Sequence, residues 1–564
     1  MLTQPIVKPV VVEVVRKEAA PEAPPRAPVA ARLAVIIVTW NRRGDVCGAL
    51  EALGRQTYGP GRLDVVVVDN AGTDGTVDLL AERFKPEAIV ENHAALAHEP
   101  RFQPPAHRTP GVANTLGLGS LTVVRNRENF GGCGGFNTGF AYVSRVLDEQ
   151  RRASGGAAPD FVWLVDDDID LAPDACAHLV RAAESDPMIG LVGTRTVDIN
   201  DRRTTIETTI YFDAATGAMS DEPTPRHRLK ASHDAWIAQV GGTKGDRAFT
   251  GLRDVDVCSA CSLLARWDAV RTVGFWDYRY FIYSDDSDWC LRFGRAGYRV
   301  VLSLDAVVYH TPWHHKLTPV RAYYADRNIL WVIQKIVPAD RLRGAVARKV
   351  GGILKHAAVA ATHRRLFHAE IIRRSAADAI SGRWGKLDRE GPAFEDIGSA
   401  LDRAGMLRKG ARIGVMGNWH EYSAWSEDIR RQCAAYLDKA GRAGDMPRWL
   451  EIVRNDMPGA EAAPPPGVER VVYSPRLRSK LRRQLSLLVP ALDGLVVFNQ
   501  YNDFPLFRGG YNIHIDRRRP TQCQLERDGL RPRLAFLVRW AATCLRSLLA
   551  IATLKGYSSP TKYG

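Results

Sequence analysis

Phe161-Val162-Trp163-Leu164-Val165-Asp166-Asp167-Asp168 runs five apolar residues directly into three carboxylates. An apolar run this short and without alternation predicts a strand covered on both faces, the habit of a parallel sheet in an α/β protein. Such sheets bind ligands beyond the carboxyl ends of their strands. Side chains alternate along an extended chain, so Asp166 and Asp168 are expected to point one way and Asp167 the other. Two convergent carboxylates on a ligand-binding edge suit a hard divalent cation, Mn2+ or Mg2+, that shares a phosphate-bearing substrate. A solvated acidic turn is the competing reading of the triplet taken alone.

Neighbouring segments repeat the pattern. Residues 34–38 are apolar and end in Thr39-Trp40-Asn41, and residues 65–68 end in Asp69-Asn70 and the turn-rich Ala71-Gly72-Thr73-Asp74-Gly75-Thr76. Helical spacing over 48–56 separates them, giving a βαβ unit whose polar groups collect on one edge. Another short strand, 121–124, precedes Asn129-Phe130-Gly131-Gly132-Cys133-Gly134-Gly135-Phe136-Asn137-Thr138-Gly139. Here a loop is expected, in which Gly131, Gly132, Gly134 and Gly135 let backbone amides approach a ligand, with a helix over 140–147 behind it. The spacing is neither a dinucleotide fingerprint nor a Walker loop.

Taken in order, these motifs resemble family 2 glycosyltransferases of the GT-A fold. Three later segments extend the resemblance: Val255-Asp256-Val257-Cys258-Ser259-Ala260-Cys261, Gly274-Phe275-Trp276-Asp277, and Phe281-Ile282-Tyr283-Ser284-Asp285-Asp286-Ser287-Asp288-Trp289-Cys290-Leu291-Arg292. Within that family, the glycine segment, the Asp triplet and the Asp-Asp pair look most like bacterial galactofuranosyltransferases and the related rhamnosyltransferases. The resemblance covers residues 32–335 and implies an α/β, Rossmann-like domain with a mostly parallel central sheet. It implies a UDP- or dTDP-sugar donor whose base is met by Asp69, with Thr39, Asn41, Asn129, the four glycines and Asp167 also on the donor side. Asp166, Asp168 and His310 correspond to the metal site, with His314 and His315 as nearby competitors of the histidine. Asp286 corresponds to the catalytic base, and Asp285 is its alternative because the doublet leaves the register open. Paired tryptophans near the acceptor cleft of the galactofuranosyl polymerase are replaced here by Val257-Cys258-Ser259-Ala260-Cys261-Ser262, so the acceptor need not be the same.

The chemistry implied is a direct displacement. A nucleoside diphosphate leaves the anomeric carbon with developing negative charge, and a carboxylate on the opposite face takes a proton from an acceptor hydroxyl, which inverts the centre. UDP-galactofuranose is the leading donor and dTDP-rhamnose the second, and the acceptor expected is a cell-surface glycan or a lipid-linked sugar. A non-catalytic scaffold whose basic face holds nucleic acid or membrane is the contrasting reading. Against it, Asp166, Asp168, Asp285 and Asp286 would repel a phosphate backbone, so no nucleic-acid partner is expected. A nucleotidyltransferase is disfavoured because Asn41-Arg42-Arg43-Gly44-Asp45 has one glycine where a phosphate loop needs more.

The remaining sequence is less specific. At 564 residues the chain exceeds one core. Residues 1–31 read as a Pro-rich leader with no basic-then-apolar signal, because Glu13, Arg16, Lys17 and Glu18 interrupt it, and a cytoplasmic enzyme is expected. Nine irregularly spaced cysteines suit a reducing compartment. Cys258 and Cys261 lack a second pair, so a structural role in a core strand is expected rather than zinc. Tyr323-Tyr324-Ala325-Asp326-Arg327-Asn328 resembles the helix that closes many family 2 domains. Short strands at 412–416 and 495–498, a helix over 424–440 between them and a loop at 456–467 predict a further α/β unit within 336–564. Lys and Arg number 77 against 63 Asp and Glu, a net charge of +14, with basic runs at 341–355, 363–365 and 476–483. Residues 534–554 are apolar but for a stripe including Arg539, Thr543, Arg546 and Thr553. Arginines near the middle oppose a bilayer span, whereas a basic amphipathic helix suits the inner surface of the cytoplasmic membrane.

Overall fold

A computed structural model of the chain describes residues 31–554 apart from 104–112, 154–157, 313–317, 364, 388–393, 418–421, 458, 475, 477–491, 499–508, 516–520 and 528. Expectations placed on residues 1–30, on His314 and His315, and on most of the 476–483 run lie outside the described residues.

The apolar runs are strands. In chain order they are β1 (Leu33–Thr39), β2 (Leu63–Asp69), β3 (Ala88–Asn92), β4 (Ser120–Asn126), β5 (Phe161–Asp166), β6 (Asp170–Leu171), β7 (Ile189–Asp198), β8 (Thr205–Glu207), β9 (Tyr211–Asp213), β10 (Ala218–Ser220), β11 (Leu252–Asp254), β12 (Ser262–Arg266) and β13 (Arg299–His310). All but the β9-β10 hairpin join one eleven-stranded sheet, ordered β11-β13-β7-β12-β5-β1-β2-β4-β3, with β6 added on β13 and β8 on β7. The sheet is mostly parallel. β5 runs parallel to β1 but antiparallel to β12, so the apolar run before Asp166 has a parallel neighbour on one flank only.

Both faces are covered, which explains the absence of alternation. Leu33, Val35 and Ile37 of β1, with Phe161, Trp163 and Val165 of β5, pack into one apolar layer. Ala34 and Ile36, with Val162 and Leu164, pack into the opposite one. Each fully buried Val, Leu or Ile contributes about 1.5–3 kcal/mol.

Two expectations are corrected. The glycine segment is not a loop: Gly131–Tyr142 is an α-helix, continued by a π-turn at Val143–Leu147. The glycines are there for packing, since a Cβ on Gly135 would lie 2.4 Å from Val38 Cγ1 and one on Gly139 2.3 Å from Ile36 Cγ2. The segment 255–261 is a buried connection between β11 and β12, not a core strand. Cys258 and Cys261 are buried free thiols in it, and the Cys258 amide and Sγ are engaged with Cys290 Sγ and the Val301 carbonyl.

Beyond β13, helices Pro319–Ile336, Ala339–Thr362 and Leu366–Ile380 lead to a second sheet of seven strands. Its Arg412–Gly417 strand is flanked in parallel by Arg448–Arg454 and Leu492–Phe498, with the expected helix at Tyr422–Lys439. The chain then enters the helix Leu530–Ala552, which lies on the helices of this region: Trp540 Nε1 donates to the Leu354 carbonyl at 2.9 Å and Arg373 Nη1 donates to Thr543 Oγ1 at 2.7 Å.

Candidate active site

Strand register assembles one polar edge. Thr39 is paired with Asp69 and Val38 with Asp166, so β1, β2 and β5 end level with one another. After Asp166 the chain turns, and β6 pairs back on β13 at Val308 and Tyr309. That return folds the triplet across the end of β13, where His310 is the last residue. His310 Nε2 lies 3.4 Å from Asp168 Oδ1 and 3.7 Å from Asp166 Oδ2. One ligand atom from each of the three residues falls within 4.8 Å of the others. Two carboxylate oxygens and an imidazole nitrogen at this spacing fit a divalent cation, Mn2+ or Mg2+.

β5 ends at Asp166, so the strand alternation expected of the triplet does not extend to Asp167 and Asp168, which lie in the turn. Both meet Arg42, whose Nη1 lies 3.3 Å from Asp167 Oδ1 and also pairs with Asp168 Oδ2. Burial pushes the Asp167 carboxyl up to about 7, opposed by the Arg42 charge. Asp168 is therefore shared, one oxygen toward His310 and the other toward Arg42. Arg42 is a site residue that sequence reasoning missed. Its only signal was its place in the turn directly after a strand ending in Thr39.

Asp285 and Asp286 open the helix Asp285–Arg295, whose first turn also carries Asp288. Carboxylates there are favoured by the helix dipole. The approach to them is strained: Phe281, Tyr283 and Ser284 have φ of 68°, 68° and 62°, a left-handed geometry that costs a non-glycine residue on the order of 1 kcal/mol or more. The helix Pro319–Ile336 holds this loop. Asn328 Nδ2 is 2.9, 2.8 and 2.8 Å from the carbonyl oxygens of Tyr280, Ile282 and Tyr283, and Arg327 Nη2 donates to Tyr280 O at 3.1 Å. From the other side the Cys133 amide donates to Phe281 O at 3.1 Å, and Gly131 (φ +74°) sits so close that a Cβ would be 2.1 Å from that oxygen.

The two carboxylates are not equivalent. Asp285 is buried and Asp286 only half-buried. Burial, then the charge of Asp286, pushes Asp285 well above the usual carboxylate range. Burial also raises Asp286, against hydrogen bonds from Ser287 and the Ala260 amide, and the charge of Asp166 adds to the rise. The Asp166 amide donates to the carbonyl of Cys261, next to Ala260, at 3.0 Å, which brings the base candidate and the metal candidates into one site.

A third acid joins them. Glu207, at the end of β8, has an enclosed Oε1 without a hydrogen-bond partner. Burial and then the charge of Asp286 push its carboxyl up to about 7, with Lys244 pulling the other way. Nothing in the sequence marked it, because only the pairing of β8 on β7 brings it near Asp286.

On the donor side, Thr39 is buried at the end of β1 and Asn41 (φ 54°) accepts from the Thr73 amide at 2.6 Å. Asp69 accepts from the Gly72 amide at 3.2 Å, and burial raises its carboxyl. Asn129 Oδ1 accepts from the Gly131 amide at 2.8 Å. Gly134 and Gly135 face Phe130 and Val38 side chains, whereas a Cβ on Gly132 would meet nothing within 4 Å.

No protein-family model matches the chain. No curated protein matches it in sequence. Among solved structures, it is similar to a mannosyltransferase from Pyrobaculum calidifontis in complex with GDP-Man and Mn2+, at 16% identity over 73% of this chain and 87% of that one, TM-score 0.34. It is similar to S. aureus TarS 1-349 at 13% identity over 73% and 92%, TM-score 0.36, and to GalNAc-T7 with UDP, GalNAc and Mn2+ at 10% identity over 50% and 43%, TM-score 0.34. At these scores the likeness carries no functional argument, which rests on the side chains above.

Proposed function

We propose that the chain is an inverting, metal-dependent glycosyltransferase that moves a sugar from a nucleoside diphosphate to an acceptor hydroxyl. The observation that carries this reading is the convergence of Asp166, Asp168 and His310 at 4.8 Å or less, with Asp286 tied to the same spot: the Ala260 amide meets Asp286, and the Asp166 amide donates to the adjacent Cys261 carbonyl at 3.0 Å. One side of the site is suited to a diphosphate and the other to a proton. A divalent cation held by Asp166, Asp168 and His310 would supply positive charge opposite the departing diphosphate. Asp69, level with Thr39 at the strand ends, and Asn41 just beyond bind and orient the base and ribose of the donor. Asp286 accepts the acceptor's proton at its carboxylate, being half-buried where Asp285 is buried. No enzyme nucleophile is needed, so the anomeric centre inverts.

The donor we favour is UDP-galactofuranose, with dTDP-rhamnose second, on the motif resemblance of residues 32–335. The acceptor is a cell-surface glycan or a lipid-linked sugar met from the cytoplasm. A panel of UDP-, dTDP- and GDP-sugars, assayed for transfer or hydrolysis with Mn2+, Mg2+ and chelator, tests the reading. Turnover of UDP-galactofuranose that needs the metal supports it. Binding of no sugar nucleotide at any metal concentration overturns it.

A further inference from the structure

More than half of the exposed large apolar side chains of the described chain lie on one helix, Leu530–Ala552. Leu534, Leu537, Val538, Leu545, Leu548 and Leu549 are all more than half exposed, with Val538 at 71% and Leu548 at 67%. At 100° per residue they form one stripe, directly opposite the buried Phe536, Thr543 and Ser547. A soluble surface rarely leaves so long an apolar strip facing water.

Length alone would let this helix span a bilayer, but its contacts fix it differently. Trp540 donates to Leu354 of the Ala339–Thr362 helix, Arg373 of the Leu366–Ile380 helix donates to Thr543, Arg539 pairs with Glu370, and Arg343 donates to the Leu554 carbonyl. These ties run the length of one face. The helix is bound sideways to the body of the protein and offers only its other face.

The surroundings are basic. The helix carries four arginines and no acidic residue. The Ala339–Thr362 helix beside it has five basic residues and one acidic, with Arg343 and Lys355 exposed. An apolar strip bordered by arginines and lysine matches an anionic lipid surface, which takes apolar side chains below its headgroups and cations among them. A second copy of the chain would bring equal positive charge to the same border, and an acidic protein groove would leave the leucines without hydrocarbon depth.

We infer that the exposed face of the Leu530–Ala552 helix lies in the plane of an anionic lipid bilayer, apolar side chains inserted, without spanning it. This inference is independent of the sugar-transfer reading. Deleting the helix is a poor test, because Phe536 and Trp540 pack on the helices beneath. The full chain with Leu537→Ser, Leu545→Ser and Leu548→Ser together changes only exposed positions, and an unchanged thermal melt confirms its fold. Flotation with phosphatidylcholine vesicles containing 30% phosphatidylglycerol, about that of an anionic membrane, and with pure phosphatidylcholine reads the result. The wild type should float with the anionic vesicles, less at high salt, and the triple variant should bind about tenfold more weakly or worse. Arg343→Gln with Arg546→Gln should weaken binding to the anionic vesicles and leave the weak binding to phosphatidylcholine unchanged. Wild-type protein that does not float, or a triple variant that floats as well as wild type, overturns the inference. So does light scattering that shows a vesicle-free dimer abolished by the triple variant, which would make the face a contact between copies.

Discussion

The side-chain amide of Asn328 lies 2.8 Å from the carbonyl oxygen of Tyr283, whose own φ is 68°, two residues before Asp285. A helix remote in sequence thus holds a strained loop at the point where it delivers Asp285 and Asp286. Asn328→Ala removes the hydrogen bonds to three carbonyls and should lower kcat by one to two orders of magnitude, about 1.4–3 kcal/mol of lost positioning. Donor affinity measured by calorimetry should hardly change. An equal loss of donor affinity would mean that the loop serves the nucleotide instead.

Gly131 is the counterpart on the other side of that loop. Gly131→Ala puts a Cβ 2.1 Å from Phe281 O in a left-handed backbone, so neither partner can yield cheaply. The variant should be destabilised by about 2–4 kcal/mol, read as a lower midpoint in urea unfolding. Gly132→Ala, where a Cβ meets nothing within 4 Å, is the matched control and should cost little.

Much of this site was legible from local signals. Asp166 and His310 each end a strand, with Asp168 two residues beyond Asp166 in the turn, and strand ends announce themselves as apolar runs stopping at a polar residue. The Gly131–Gly135 segment was misread because glycine is a poor helix former, by about 1 kcal/mol per residue against alanine. Close packing on Val38 and Ile36 overrides that preference and demands glycine. The 255–261 segment shows the converse: its apolar content reflects burial, not pairing. Arg42 meets Asp167 and Glu207 feels the charge of Asp286, both far along the chain, and no local pattern records such neighbours.

Metal dependence follows from the donor set. Chelator should abolish transfer, with Mn2+ or Mg2+ restoring it, and Asp168→Asn should weaken cation binding about 10- to 100-fold by calorimetry. Full activity in excess chelator would remove Asp166, Asp168 and His310 from the mechanism.

Glu207 makes a prediction about pH with a definite sign. Its folded-state carboxyl is raised from 4.5 to about 7, so its contribution to stability is present below the unfolded value and is lost as pH rises through about 7. Glu207→Gln should therefore be more stable than wild type at pH 8, by roughly 1–2 kcal/mol after allowing for partial exposure, and no more stable at pH 4. Glu207 takes its proton while Asp286 is still charged and is neutral where Asp286 titrates, so the same change should leave the acid limb of the transfer profile in place. Thermal melts at the two pH values check the first part and a pH-rate profile the second. An acid limb that moves to lower pH would show that Glu207 is charged where Asp286 titrates, against this order of protonation.

The central claim is that Asp286 takes the acceptor proton while other residues hold the donor. Asp286→Asn keeps the shape of the side chain and removes its basicity, which is typically worth about 10²- to 10⁴-fold in rate. Transfer from UDP-galactofuranose by Asp286→Asn, measured beside donor affinity by calorimetry, is the most direct test. The account predicts transfer reduced at least about a hundredfold with donor affinity within about threefold of wild type. Near-normal transfer by Asp286→Asn would contradict it, and an inactive Asp285→Asn in the same experiment would move the base to Asp285.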